Sequence, residues 1–207
     1  GPVFAEITHA IVRKFQPKTV AICRDMRLSG GEIRDAIGGV LRSLGIDVFD
    51  AGVVGTEMQY FIAGTRAYDL VFMISASHNP PEYNGLKLVK KGPIAVTSES
   101  GMYEVRDLIA QGPLPAVQTP GTITEVDLME EWKQKIWSLI DQSALKSLSV
   151  VVDAGNGMAG KLVPYAFNGL PFRLTTMYMS LDGSFPNHVP NPLIESNTAD
   201  LKKKILE

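Results

Sequence analysis

Cysteine is almost absent from this chain: its 207 residues include only Cys23. One thiol cannot close an intrachain disulfide, which excludes the stapled secreted scaffolds. Its place at the end of the apolar run TVAIC reads as a buried strand thiol. Long apolar runs are missing too. No segment approaches the roughly 20 apolar residues that cross a bilayer, and the start of the chain shows no charged-then-apolar leader. An excess of one charge is also lacking, since 20 Lys and Arg stand against 22 Asp and Glu. Without a basic stripe interleaved with aromatics, no nucleic acid and no membrane is expected as a partner. The one dense basic cluster, Lys202 to Lys204, reads as the solvated face of a short helix. What remains is an ordinary globular composition, 45% hydrophobic and 20% charged, with length for one large domain or two small ones and a reducing cytoplasm as the expected compartment. Gly1-Pro2 runs straight into a helical pattern and reads as a trimmed end.

What is present is an alternation of strand and helix patterns. Phe4, Ile7, Ile11, Val12 and Phe15 recur at helical spacing until Pro17, and an extended run, Thr19 to Cys23, follows. Ser29 and Glu32 predict a capping box ahead of Ile33, Ile37, Val40, Leu41 and Leu44, with Gly45 as the stop. IDVFDAGVV predicts a strand. TEMQYFIAGTRA predicts a helix with Thr56 and Gln59 as a second capping box, and DLVFMIS predicts a buried strand. LKLVKKGPIAV looks extended and SESGMYEVRDLIA helical. This order defines an α/β class. Composition shifts in QGPLPAVQTPGTIT, which carries three prolines and reads as a crossing between domains. The expected division is residues 1–112, a linker over 113–126, and a second α/β unit over 127–207. That unit holds both tryptophans, the strand LSVVVDAGNG, the strand FRLTTMYM, and a last helix capped near Thr198. It repeats the style of the first and stops early, so an incomplete domain is expected.

Chemistry concentrates in SASHNPPEYNGLK, directly after the buried strand, where open α/β sheets place their ligands. Ser77 offers an oxygen nucleophile, His78 exchanges protons near neutral pH, Lys87 supplies positive charge, and Asn79 and Asn84 offer hydrogen bonds. Pro80-Pro81 stiffens the loop. A tight turn with its side chains in solvent is the plainer alternative. A serine hydrolase fits poorly, because no G-x-S-x-G elbow is present and a histidine adjacent in sequence cannot easily turn back onto the serine hydroxyl. Phosphoryl transfer suits these residue types better, since cations can stabilise the charge that moves through the transition state.

The loop SASHNPPEYNGLK resembles the phosphoserine loop of the α-D-phosphohexomutases. CRDMRLSGGEIRDAIGGVLRSLGIDVFDAGVV with TEMQYF is similar to the rest of their first domain, in the bacterial phosphomannomutase/phosphoglucomutase branch. VVVDAGNGMAG and DGSFPNHVPNPLIESN resemble parts of the second domain. The resemblance implies a three-layer, mixed-sheet first domain followed by a similar, incomplete second one. It implies that Ser77 carries a phosphate that also ligates Mg²⁺. That phosphate moves between O1 and O6 of a hexose phosphate, mannose or glucose, through a hexose 1,6-bisphosphate that also serves as activator. His78 and Lys87 match positions tied to proton transfer and to the transferring phosphate. Arg24, Arg27, Asn79 and His188 match loops near substrate and phosphate. For Arg24, pairing with Asp25 and contact with substrate are both open, and Asn156 in DAGNG reads equally as a turn residue. Cys23 stands where glycine is usual.

The resemblance also has limits. No Asp-Gly-Asp-x-Asp-Arg metal loop occurs before Glu207, and a Tyr-Asp-x-Arg-Gly opening is missing. Serine phosphate and water alone would hold Mg²⁺ weakly. The expectation is therefore a mutase fragment without activity of its own. A non-catalytic phosphosugar-binding or interaction module is the alternative.

Overall fold

Alternation inside the apolar strands decides the architecture. In the computed structural model, which describes residues 1–207, strand β1 (Thr19–Arg24) sends Val20 and Ile22 to one side and Ala21 and Cys23 to the other. Strand β3 (Leu70–Ile74) does the same, with Leu70, Phe72 and Ile74 opposed to Val71 and Met73. Both faces are therefore apolar and both must be covered by helices, the condition for a three-layer α/β/α domain.

The first face is covered by helices α1 (Pro2–Phe15) and α2 (Gly30–Ser43), and by α4 (Tyr103–Leu108) through Val105. Ala10 and Ile11 of α1 and Ile33, Ile37 and Leu41 of α2 are buried there, at helical spacing. The opposite face is covered by helix α3 (Thr56–Thr65), which buries Met58, Ile62 and Ala63. Strand β2 (Asp47–Val53) pairs parallel to β1, and β1 pairs parallel to β3. Strands β4 (Leu86–Lys90) and β5 (Ile94–Ala95) continue the sheet antiparallel, giving the expected mixed sheet.

The neighbours of β1 matter for function. β2 lies on one side of it and is reached through α2, whereas β3 lies on the other and is reached through α3 on the opposite face. The loops leaving the neighbouring strands β1 and β3 therefore lie side by side at the carboxyl end of the sheet, the end where open α/β sheets place their ligands. The DMR turn (residues 25–27) and Ser77 stand on those two loops.

Beyond α4 the chain departs from expectation. The proline-rich segment expected as a linker is tied to the first unit, with Val117 N–H donating to Ser43 O and Gly121 N–H to Arg42 O. It ends in strand β6 (Ile123–Glu125), which pairs parallel to β2 and makes a sixth strand. Helix α5 (Met129–Trp137) then lays Met129 and Trp132 onto the α3 side of the sheet. The second unit follows as strand β7 (Leu148–Asp153), helix α6 (Ala159–Phe167) and strand β8 (Phe172–Met177) in one parallel crossover, with helix α7 (Ala199–Leu206) at the end.

Neither expected capping box forms, and Thr198 stands at the N-cap of α7 without a side-chain capping bond. Ser29 takes a helical backbone and its hydroxyl accepts from Asn84 Nδ2 instead, while Glu32 meets the Gly1 amino group at 3.0 Å. Gly55 precedes α3, so Thr56 is already helical, and Gln59 is buried with Nε2 donating to Val71 O and Lys87 O. Thr198 Oγ1 donates to Glu195 O. At Ser29 and Gln59 a partner brought in by the fold replaces the local one that spacing alone implies, whereas Thr198 turns to a carbonyl of its own turn.

Candidate active site

The loop between β3 and β4 is built by its own polar side chains. Ser75 Oγ accepts the Ser77 N–H at 3.0 Å, and the Asn79 side-chain amide and backbone N–H both donate to Ala76 O. Ser75 and Gly85 close the base, where the Ser75 N–H donates to Gly85 O at 3.0 Å. A side chain at Gly85 would meet Ser75 O at 3.1 Å, so this close approach favours glycine. Between these ties Ser77 adopts φ 55. Left-handed backbone costs a non-glycine residue about 1–2 kcal/mol, and residues held there cluster at functional sites. Ser77 is exposed and its Oγ makes no hydrogen bond within the protein, so the hydroxyl is free to react.

Ser77 and His78 line an open recess of about 430 Å³ at the β1 and β3 loops. Its first wall comes from the first unit: Asp25, Met26, Gly55, Thr56 and Glu57. The other comes from the second unit and includes Met158, Leu162 and Phe185. Phe185 shares the left-handed backbone of Ser77, with φ 52. A side chain at Gly183 would run within 2.8–2.9 Å of the backbone of residues 26–28, so the GSF loop of the second unit rests directly on that turn.

Several residues expected to face substrate do not. Arg27 is buried, with its Nη atoms donating to four carbonyls of the Ser77 loop and its Nε 3.3 Å from Asp25 Oδ2. The Nη donors are spent on carbonyls and Nε is buried against Asp25, out of reach of a solute, so its assignment as a phosphate ligand is corrected. Its pairing also corrects the Arg24–Asp25 alternative, because Asp25 holds Arg27. Arg24 lines a separate recess with Arg34, Asp50, Glu125 and Asp127. Asn79 spends its amide on the turn. His188 does not line the Ser77 recess. Its Nε2 lies 3.1 and 3.2 Å from the two Asp153 oxygens, and it lines a smaller cavity of about 180 Å³ with Asn191, Asn197 and Thr198. A side chain at Gly155 would touch the His188 ring at 2.9 Å, and Gly155 has φ 49, so glycine serves this turn twice. Asn156 is buried beside it, donating to Ser180 O and accepting from Asn187 Nδ2, which makes it a turn residue. Lys87 is exposed on β4, opposite Met73 and so on the α3 face, outside the lining of the recess.

Other residues of the recess lie in segments that resemble the family but are not among the expected site residues. Glu57 lies in the first turn of α3, where acidic residues are common for reasons of helix polarity alone. Phe185 and Met158 are brought to Ser77 only by the packing of the second unit.

The residues present do not build a Mg²⁺ site. No group of three His, Cys, Asp or Glu side chains is placed to hold an ion. Of the carboxylates lining the recess, Asp25 has one oxygen on the Arg27 N–H and the other at its guanidinium. Mg²⁺ demands near-octahedral oxygen coordination, which Glu57 alone cannot supply.

A three-layer α/β domain, with a free serine hydroxyl at the carboxyl end of its sheet and a second α/β unit across the recess, has the layout of a ligand-binding cleft. A family model described as phosphoglucomutase/phosphomannomutase, alpha/beta/alpha domain I, matches residues 2–113, and the model for domain II of the same family matches residues 128–207. The chain belongs to the phosphoglucomutase/phosphomannomutase family. It is 33% identical over 198 residues to a protein named phosphohexose mutases from Xanthomonas campestris pv. campestris, a match covering 96% of this chain and 44% of that protein. It is 34% identical over 182 residues to a phosphoglucomutase of Neisseria meningitidis serogroup B, covering 88% and 39%. The crystal structure of a phosphoglucomutase/phosphomannomutase family protein from Burkholderia thailandensis superposes with a TM-score of 0.87 at 32% identity, covering 99% of this chain and 46% of that one. The chain thus spans less than half the length of the relatives it matches.

Proposed function

We propose that Ser77 is the phosphate-carrying residue of a phosphohexomutase acting on mannose or glucose phosphates in the cytoplasm, and that this chain supplies the nucleophile side of the cleft. The observation that carries this reading is the free Ser77 hydroxyl, held in a left-handed turn and lining the recess between the two units. In the forward step the bond between Ser77 Oγ and phosphorus breaks as a sugar hydroxyl oxygen bonds to that phosphorus, and the hydroxyl proton passes to a base and on to the departing Ser77 oxygen. His78, which lines the recess beside Ser77, fills that role. In the return step Ser77 Oγ takes the other phosphate of the hexose 1,6-bisphosphate, the P–O bond to the sugar breaks, and the proton goes back to the sugar oxygen. The net change moves one phosphate between O1 and O6.

Lys87, exposed on a long flexible stem, supplies charge to a phosphate that extends beyond the recess. The chain by itself is expected to lack mutase turnover, because phosphoryl transfer rests on electrostatic stabilisation and this chain has no Mg²⁺ site of its own.

The test is peptide mapping by mass spectrometry after incubation with glucose 1,6-bisphosphate, with and without Mg²⁺, for this chain, the full-length gene product and the Ser77→Ala variant of each. Phosphate on Ser77 in the full-length product supports the reading. Phosphate nowhere, together with measurable bisphosphate binding, overturns it in favour of a phosphosugar-binding module.

A further inference from the structure

Arg27 is the largest fully buried side chain of the molecule, and it sits under the reactive loop. Burying a guanidinium is costly unless every donor finds a partner. Here Nη1 donates to Pro80 O at 2.7 Å and Tyr83 O at 3.1 Å, and Nη2 donates to Ser77 O at 2.9 Å and Asn79 O at 2.7 Å. Nε faces Asp25 Oδ2 within ion-pair range but without hydrogen-bond alignment. Asp25 is itself fixed by accepting the Arg27 backbone N–H at 3.1 Å.

All four carbonyls belong to an irregular loop that no strand ladder holds. A planar fork of donors with fixed geometry determines where those carbonyls lie relative to one another, which a lysine ammonium cannot do. The consequence for Ser77 is specific. Its N–H is held by Ser75 Oγ and its C=O by Arg27, so both of its backbone polar groups are tied and its hydroxyl alone is free. Above the guanidinium lies the ring of Phe185, 5.1 Å from Arg27 Cζ to the ring centroid, itself buried and belonging to the second unit. The ring covers the cation and makes a cation–π contact with it.

We propose that Arg27 is a positioning residue for the phosphate-carrying serine. It locks the left-handed turn at Ser77, and Phe185 completes the lock only when the second unit is seated on the turn at residues 25–27. This inference rests on the reading of Ser77 above. It makes reactivity at Ser77 sensitive to the seating of the second unit, although no second-unit residue needs to touch the serine.

The experiment follows phosphate transfer to Ser77 under single-turnover conditions over a range of glucose 1,6-bisphosphate concentrations. It uses the full-length gene product as wild type, Arg27→Lys and Phe185→Leu, with hydrogen exchange measured on the same proteins. For Arg27→Lys the limiting rate should fall by about 100-fold, the loss that a misplacement near 1 Å produces, while the half-saturating concentration stays close to wild type. Amide exchange should quicken across residues 76–84 and stay unchanged in β1 and β3. Phe185→Leu should give the same pattern with a smaller loss.

A folded Arg27→Lys that is phosphorylated at the wild-type rate overturns the inference. So does a loss seen only in the half-saturating concentration. If Arg27→Lys does not fold, Phe185→Leu decides: slowed transfer with faster loop exchange supports the coupling, and wild-type behaviour in both overturns it. A wild type that takes no phosphate overturns the Ser77 reading itself and removes this role with it.

Discussion

The two α/β units are built from the same kinds of segment, yet only the first has a core of its own. In the first, 14 buried residues form a cluster drawn from α1, α2, α4 and the strands, and Val20, Ala21, Val71, Phe72 and Met73 are wholly inaccessible. In the second, every residue of β7 and β8 is exposed or half-buried. Its buried apolar side chains, Leu162 and Phe185, are among those that line the recess facing the first unit. A two-stranded sheet with one crossover helix cannot enclose an interior, because helices and strands each need a second layer to cover their apolar faces. The second unit is therefore ordered by docking, through α5, Leu162 and Phe185. This matters for chemistry because the surface on which it docks is also one wall of the Ser77 recess.

The largest test of this comparison is separation. Residues 1–137 expressed alone should fold with a cooperative thermal transition, and residues 138–207 alone should show none by circular dichroism; a cooperative melt of the second piece would break the comparison. Trp132, 5% exposed in the cluster that joins the units, comes next. Trp132→Ala should cost about 3–5 kcal/mol in denaturant unfolding, with probes in both units moving together. Two separate transitions in that variant would show that each unit stands by itself. Val151→Ala, in the half-buried β7, should cost only about 1 kcal/mol, since little of the lost surface was removed from water.

Cys23 sharpens the comparison from the side of the first unit. Burial, and then the nearby Asp50 charge, push its thiol up to about 12. A raised thiol pKa means that the folded state keeps a proton the unfolded chain gives up. The associated stability is complete below the ordinary thiol range and is lost as pH rises towards 12. Iodoacetamide at pH 8.5 should label Cys23 only after the first unit is unfolded by denaturant, and stability should decline from about pH 9 upward. Labelling in the native protein would contradict the sealed core.

The smallest effect concerns His9, whose pKa is lowered by burial and then by the charge of Arg13. Its Nδ1 accepts the Leu114 N–H, which only the unprotonated nitrogen can do. The associated stability is present above the ordinary histidine value near 6.5 and is lost as pH falls below it. An NMR titration of the His9 ring should give a midpoint below that of an unfolded reference, and an unshifted midpoint would remove this tie between α1 and the chain after α4.

The alternation of apolar residues in TVAIC and DLVFMIS, the helical spacing of Phe4 to Phe15, and the polar, proline-stiffened loop around Ser77 are local facts. Local facts translate directly into strand, helix and reactive turn, because side-chain periodicity and backbone preference need no distant partner. The α/β class and the place of Ser77 at a strand end are therefore legible in the amino-acid sequence, whereas the mixed sheet is implied only by the family resemblance. Which way Arg27 points is not. An arginine three residues after a buried strand serves a phosphate as readily as it serves carbonyls, and only the return of the β3 loop beside β1, some 50 residues later, supplies four carbonyls to occupy it. The same holds for β6, whose three exposed residues become a strand only because the edge of β2 offers them a ladder. It holds for His188, drawn to Asp153 from 35 residues away, and for Gln59, drawn from a helix start into the interior by Val71 and Lys87. Polar side chains choose their partners after the backbone has closed, since the cost of leaving a buried donor or acceptor unpaired is set by the surroundings and not by the residue. The sequence by itself thus determined the strands and helices of the core and which loop carried the reactive serine, while the tertiary structure decided the edge strand β6 and which charged and polar groups remained free to meet a substrate.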